Sequence, residues 1–263
     1  MKSRPPIIVG GFYRSGTSLV RRLLDSHSHI HCPSEIKWFK DFYGDYPDDD
    51  LGQVRFFKTL RSLGLPENEL LEIYGQTYIQ CRERAAQHFG CSRWADKNPE
   101  NVLYLNQWAQ LLGDNFVFVY VVRHPMDALS SLCEIGFQKA VPANFHLKVD
   151  LLKKYYEAAQ AFEACHKERF FCLRYEDLVD KSELSLSRLF LWLGENYEPE
   201  VLKRFWWDER ISGIEDPKVK QTRGIHSDSI DRWKHDLNNQ QIDIVMNTLS
   251  AEMEYFGYVV EST

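Results

Sequence analysis

The sequence predicts an α/β protein in three layers, with a central parallel sheet flanked on both faces by helices. Three observations carry this. The apolar run Ile7-Ile8-Val9-Gly10 passes through a short glycine-bearing loop directly into a helix-period segment that begins at Thr17. The seven residues from Phe116 to Val122 are all apolar, as suits a central parallel strand covered on both faces. Further along, apolar runs alternate with segments of helical period, and strand, helix, strand in alternation is the pattern of crossover connections in a parallel sheet.

Taken in order, the first strand runs from Ile7 to Gly10 and its helix from Thr17 to about Asp25. Leu51 to His88 reads as two helices divided by Gly64-Leu65-Pro66. Pro66 at a helix start, Glu67 and Glu69 in the first turn and Gly90 beyond the end satisfy the orphaned backbone groups and the dipole of the second. A short strand is predicted over Arg93 to Ala95, and Pro99 opens a helix that ends near Gly113. After the strand from Phe116 to Val122, Pro125 begins a helix to about Ile135, and a long helix follows from His146 to Lys167. The last strand is Phe170 to Arg174, with helices at Ser182 to Leu193 and Pro199 to Trp206. From Asp208 to Ser229 the chain is polar, charged and aperiodic, so a long functional loop precedes a closing helix near Gln240 to Phe256.

A chain of 263 residues, 44% of them apolar, can bury one full core, and one domain is expected. The net charge of −6 argues against a nucleic-acid partner, so an anionic ligand has to be held by a local basic pocket. Met1 to Pro6 leads straight into the first strand without a signal peptide or membrane span, which predicts a cytoplasmic protein. Cys32, Cys81, Cys91, Cys133, Cys165 and Cys172 show no metal-ligand spacing and are expected as reduced thiols. His27, His29 and His31 alternate as ligands on a strand would, yet no cysteine or carboxylate accompanies them at diagnostic spacing, and no metal is expected.

The loop Gly11-Phe12-Tyr13-Arg14-Ser15-Gly16-Thr17-Ser18 has the glycine spacing of a phosphate-binding P-loop, which makes the three layers P-loop NTPase-like. It lacks the lysine: Thr17 stands there, and Arg14 supplies the positive charge. Gly11 and Gly16 permit turns that aim successive N–H groups into one concavity, and the helix start adds its dipole. Ser15, Thr17 and Ser18 add hydroxyl donors. A strand-turn-helix with capping hydroxyls would look the same. Other polar residues also fall at strand ends, where such sheets bind ligands: Asp96 and Lys97, then Arg123, then Tyr175. Each has a plainer reading, as a surface pair for Asp96 and Lys97, an Arg123–Asp127 pair, a core Tyr175, and a solvated Glu35 capping the helix of Trp38. Trp38, Phe39, Phe42, Tyr43, Trp206 and Trp207 read as aromatic core more than as an acceptor pocket, and Arg82, Arg84, Lys153 and Lys154 as solvated helix faces.

The loop G-F-Y-R-S-G-T-S and the segment V-V-R-H-P-M-D-A-L-S-S at 121–131 resemble, as a pair, the 5′-phosphosulfate and 3′-phosphate motifs of sulfotransferases that use 3′-phosphoadenosine 5′-phosphosulfate, PAPS. Ser34-Glu35-Ile36-Lys37-Trp38-Phe39 is similar to the glutamate followed by aromatics in the carbohydrate and protein-tyrosine branch. Trp94-Ala95-Asp96-Lys97-Asn98-Pro99 is similar to its lysine-bearing segment, and Leu173-Arg174-Tyr175-Glu176-Asp177-Leu178 to its Y-E-D-L segment. The K-S-G-T loop and K-T-H-L-P histidine of the cytosolic small-molecule branch are absent.

The resemblance implies a single sulfotransferase domain over 1–263, with a helical insertion at about 39–90 and a nucleotide-closing loop at about 208–234. Arg14, Ser15, Gly16, Thr17 and Ser18 would hold the 5′-phosphosulfate. Arg123 and Ser131 would hold the 3′-phosphate with help from Lys220 or Arg223, and Tyr175 would pack beside the nucleotide. Glu35 would be the general base, with Lys97 and Arg14 as the cations facing the bridging and sulfonate oxygens. PAPS would be the co-substrate and no metal would be required. The acceptor would be a hydroxyl, less readily an amine, of a small molecule or carbohydrate. Two other readings remain: a P-loop kinase or nucleotidase, which Thr17 in the lysine position opposes, and a nucleotide-binding protein without turnover.

Overall fold

The structure, a computed structural model, describes residues 4–46, 51–135, 141–206 and 224–258. Five parallel strands form the centre: β1 (Ile7–Gly11), β2 (Ile30–His31), β3 (Arg93–Lys97), β4 (Val117–Val122) and β5 (Phe170–Arg174), in the order β2-β3-β1-β4-β5. β1 is buried along its whole length, with Val9 opposite Lys97 of β3 on one side and Val119 of β4 on the other. Alternate side chains go to opposite faces. Ile8, Phe118, Tyr120 and Val122 enter one apolar cluster, while Ile7, Val9, Val119 and Val121 enter a second. Two separate cores on the two faces of one sheet are the three predicted layers.

Helices α1 (Thr17–Asp25) and α9 (Ser182–Leu193) close the second core through Val20, Leu23, Leu24, Leu186, Leu189, Phe190 and Leu193. The first core lies under α2 (Trp38–Tyr43), α3 (Leu51–Arg61), α4 (Glu67–His88), a 3₁₀ turn (Pro99–Tyr104) with α5 (Leu105–Leu112), α6 (Pro125–Ile135) and α7 (Phe145–Cys165). After β5 come α8 (Tyr175–Asp180), α9, α10 (Val201–Arg204), α11 (Trp233–Asp236) and α12 (Asn239–Tyr255), whose Val245, Leu249 and Met253 return to the first core. No helix among the described residues is long and apolar enough to cross a membrane.

Two departures from the sequence reading have physical reasons. β3 runs two residues past Ala95, because Asp96 is a buried hub rather than a strand-end charge. It takes hydrogen bonds from Tyr78 and Arg82 of α4, from Asn98 at 2.7 Å and from Asn101 at 2.9 Å. Arg82 is therefore buried against β3 instead of lying on a solvated face. The helix expected from Pro99 begins as a 3₁₀ turn that lies against β1. A Cβ at Gly10 would sit 2.9 Å from the Val102 nitrogen, so this close approach requires glycine. The aromatic-core reading agrees with the structure for Phe39 and Phe42, which are buried, and Trp38 packs against them: Trp38 stacks on Phe42 and Tyr78, and Phe39 on Tyr104.

A candidate anion site at the carboxyl ends of the strands

The loop after β1 is shaped by two close approaches. A Cβ at Gly11 would fall 2.3 Å from the Val121 carbonyl of β4, and one at Gly16 would fall 2.5 Å from the Tyr175 ring. Gly16 also has φ +91°, a left-handed backbone that a side chain would strain. The Tyr175 ring thus lies over the loop, at the start of α8. Ser15, Thr17 and Ser18 are all buried, and the first turn of α1 carries no acidic residue to balance its dipole. The helix start keeps its positive end for an anion from outside the helix.

Arg14 has φ +66°, uncommon for a residue with a Cβ and costing about 1 kcal/mol. Three hydrogen bonds hold that geometry. The Ser15 N–H donates to Phe12 C=O at 3.1 Å, Arg14 Nε to Ser131 Oγ of α6 at 3.1 Å, and Arg123 Nη1 to the Arg14 carbonyl at 2.9 Å. Arg14 and Ser131, expected at opposite ends of one nucleotide, are in direct contact.

Arg123 follows β4 and is 4% exposed. Its Nη2 donates to the Ser229 carbonyl and its guanidinium stands 4.8 Å from the centre of the Tyr175 ring. Burial pulls its pKa down, against the opposing pull of Tyr175, Asp127 and Glu176. Its Nε is buried with no hydrogen-bond partner, an expensive donor to leave unmet. The Arg123–Asp127 pair of the plainer reading is not what Asp127 makes. Its two oxygens accept the backbone N–H groups of Asp231, at 2.9 Å, and Trp233, at 3.0 Å.

Lys97 ends β3 and its side chain is 1% exposed. Because successive strand residues point to opposite faces, Asp96 turns to α4 while Lys97 turns to the loop. Its ammonium donates to Ser18 Oγ at 3.2 Å and pairs with the Glu35 carboxylate, whose side chain is 17% exposed. The two do not form a surface pair of neighbours in sequence. Nor does Glu35 cap α2: the residue before that helix is Lys37, and no side chain caps it.

A knot beside the loop has no counterpart in the sequence reading. Tyr13 hydrogen-bonds to Glu100 of the 3₁₀ turn, and Lys40 of α2 donates to the Tyr13 hydroxyl at 3.1 Å and to Glu100 Oε1 at 3.3 Å. Lys37 reaches the same oxygen at 3.2 Å. Burial pushes the Tyr13 phenol well above its usual range and the Lys40 ammonium down. Burial also pushes Glu100 up, but Lys37, Lys40 and the Tyr13 hydroxyl outweigh it and the carboxyl is held low. The only sequence signal was a glutamate in the first turn after Lys97-Asn98-Pro99, which helix-start preference explains equally well.

Lys220 and Arg223 lie outside the described residues, as does most of the expected closing loop. Its last part is described: the Ser229 carbonyl meets Arg123, and the N–H groups of Asp231 and Trp233 donate to Asp127 of α6. At the amino ends of the strands, His27, His29 and Glu195 place candidate metal-ligating atoms within 4.8 Å of one another. Protein groups already occupy these atoms. Glu195 pairs with Arg4 and Arg93, and the His27 nitrogens meet the Asn196 carbonyl at 2.9 Å and the His29 N–H at 3.1 Å.

Comparison with known proteins bears on the family and the fold. A model of the sulfotransferase family matches residues 5–199. Protein-tyrosine sulfotransferase 2 of Gallus gallus is 23% identical over 254 residues, covering 88% of this chain; the chain spans 64% of that relative's length. Among solved structures, the sulfotransferase domain from the Synechococcus PCC 7002 olefin synthase superposes with a TM-score of 0.69 at 18% identity, covering 99% of this chain and 98% of that one. A mouse sulfotransferase complexed with PAP gives 0.51 at 13% identity, covering 95% and 84%.

Proposed function

The chain belongs to the sulfotransferase family, and on that premise we propose that it transfers a sulfuryl group from PAPS to a hydroxyl of an acceptor, with Glu35 as general base. The observation that carries this reading is the placement of buried Lys97, which reaches both Ser18 on the anion loop and the Glu35 carboxylate. One ammonium thus joins the group that would hold the donor to the group that would deprotonate the acceptor.

The reaction moves a sulfuryl unit from the bridging oxygen of the donor to the acceptor oxygen. The S–O bond to the phosphate breaks, negative charge grows on that bridging oxygen, and the acceptor proton leaves to Glu35. As in phosphoryl transfer, positioning and electrostatic stabilisation supply most of the rate. The loop N–H groups, Ser15, Gly16, Thr17 and Ser18 would hold the phosphosulfate, and Lys97 would meet the charge on the bridging oxygen. Proton acceptance by a placed base is worth about 10²–10⁴-fold. The unmet Nε of Arg123, the Ser131 hydroxyl and the Tyr175 ring fit the 3′-phosphate end of the same nucleotide. Arg14, bonded to Ser131, belongs to both ends. The domain would span 1–263, with α3 and α4 as the helical insertion and Lys220 or Arg223 supplying further charge from the closing loop.

Titration calorimetry with PAP against ATP with Mg²⁺ tests this. PAP is expected to bind at least tenfold more tightly, unaffected by chelator. Tighter binding of ATP, lost on chelation, would overturn the reading in favour of a kinase or nucleotidase.

A further inference from the structure

We propose that Glu100 is a positioning residue: with Tyr13, Lys40 and Lys37 it forms a buried knot that fixes the segment carrying Glu35 against the anion loop and the end of β3. The inference rests on the donor reading above for its functional meaning, and on geometry alone for its structural content.

Three chain segments supply the proposed reactive groups, and each contributes to the knot within a few residues of its own. Tyr13 directly precedes Arg14 in the loop. Glu100 stands three residues after Lys97, in the 3₁₀ turn. Lys37 and Lys40 stand two and five residues after Glu35, at the start of α2 and within it. All three donors, the Tyr13 hydroxyl and both ammonium groups, converge on Glu100 Oε1, while Oε2 is buried with no partner. Lys40 and Glu100 are both buried, so each is the other's compensation for lost water.

Lys97 hydrogen-bonds to Ser18 and Glu35, not to Glu100, so the knot does not act on that ammonium directly. Its effect is therefore indirect. The α2 segment is short and has no side-chain cap, so its own hydrogen bonds hold it weakly. Apolar stacking of Trp38 and Phe39 anchors its buried face, and the knot supplies the ionic tie on the loop side. Without Glu100 the buried Lys40 loses its carboxylate partner, and the cheapest relief is for the start of α2 to swing towards water, taking Glu35 from Lys97.

The test compares wild type, Glu100→Gln, and the double variant Glu100→Gln/Lys40→Met by amide hydrogen exchange, PAP titration and PAPS turnover with water as acceptor. Glu100→Gln keeps the shape and removes the charge. The expected result is exchange at least tenfold faster at 35–43, PAPS turnover about tenfold lower and PAP affinity within about twofold of wild type. The double variant leaves no buried cation unpaired and is expected to recover most of the protection at 35–43. Unchanged exchange at 35–43 in Glu100→Gln would overturn the proposal. So would a uniform rise in exchange across the sheet with no recovery in the double variant, which marks a general stability role. A wild type that neither binds PAP nor turns over PAPS would end the donor reading, while the exchange comparison would still judge the knot.

Discussion

Arg123 ties together more of the site than any other side chain: it donates to the Arg14 carbonyl and the Ser229 carbonyl, stacks near Tyr175 and keeps one buried donor unmet. A guanidinium so placed can take an anion without first being ordered, since its fork is already fixed by two carbonyls. Arg123→Ala is accordingly expected to weaken PAP by about 10–100-fold, the range of one or two charge-assisted hydrogen bonds. Adenosine 5′-phosphosulfate, which has no 3′-phosphate, should lose less than about threefold. Calorimetry on both ligands checks this, and equal losses would remove Arg123 from the 3′-phosphate. At this scale Arg14, Lys97 and Arg123 stood out in the sequence as charged residues in the glycine loop and at strand ends, each with a plainer reading beside it, while Glu35 was singled out only by the family resemblance. Arg82 was not legible: a basic residue on a helix reads as solvated until the strand beneath it turns out to bury an aspartate.

At the scale of elements, α6 is a docking platform as well as a helix. Asp127 in its first turn accepts two N–H groups from the segment leading into α11, Ser130 bonds Asp236, and Glu134 pairs with Arg232 at 2.9 Å. Trp233 then stacks on His124, with planes 3° apart. The segment also supplies the Ser229 carbonyl to Arg123, so its seating and the shape of the proposed 3′-phosphate site are coupled. Asp127→Ala leaves two N–H groups without their acceptor. The expected outcome is about tenfold weaker PAP binding and faster proteolysis within 224–237, with Asp127→Asn, which keeps one acceptor oxygen, intermediate. Elements with ten or more periodic residues were read to within a residue or two, as α6, α7, α9 and α12 show. β2, α8 and α11 escaped the sequence reading because two to six residues are too few to display a period, and tertiary contacts hold them.

For the whole molecule, the three layers followed from alternation, but the placing of β3 between β1 and β2 did not. In that position β3 is tied to α4 by the buried Arg82–Asp96 pair, which no local pattern announces. The same packing gives the fold a pH dependence that can be isolated at one residue. His124, next to Arg123, has its pKa lowered to about 4, chiefly by burial, with Arg123 and Lys234 adding to the fall and Glu176 and Asp231 opposing it. In the unfolded chain the ring takes up its proton near pH 6.5. Between those values the unfolded state binds the extra proton, so stability is full above about pH 6.5, falls as the pH drops towards about 4, and changes no further from this group below it. The shift amounts to about 2–3 kcal/mol once partial solvent screening is allowed for. His124→Phe keeps a ring against Trp233, removes an Nδ1 that makes no hydrogen bond among the described residues, and does not titrate. Urea unfolding of both proteins at pH 7 and pH 4 should therefore show the wild type losing about 2–3 kcal/mol more than His124→Phe over that interval. Parallel losses would mean that the His124 ring reaches water in the folded protein, and that the seat of Trp233 is looser than its stacking implies.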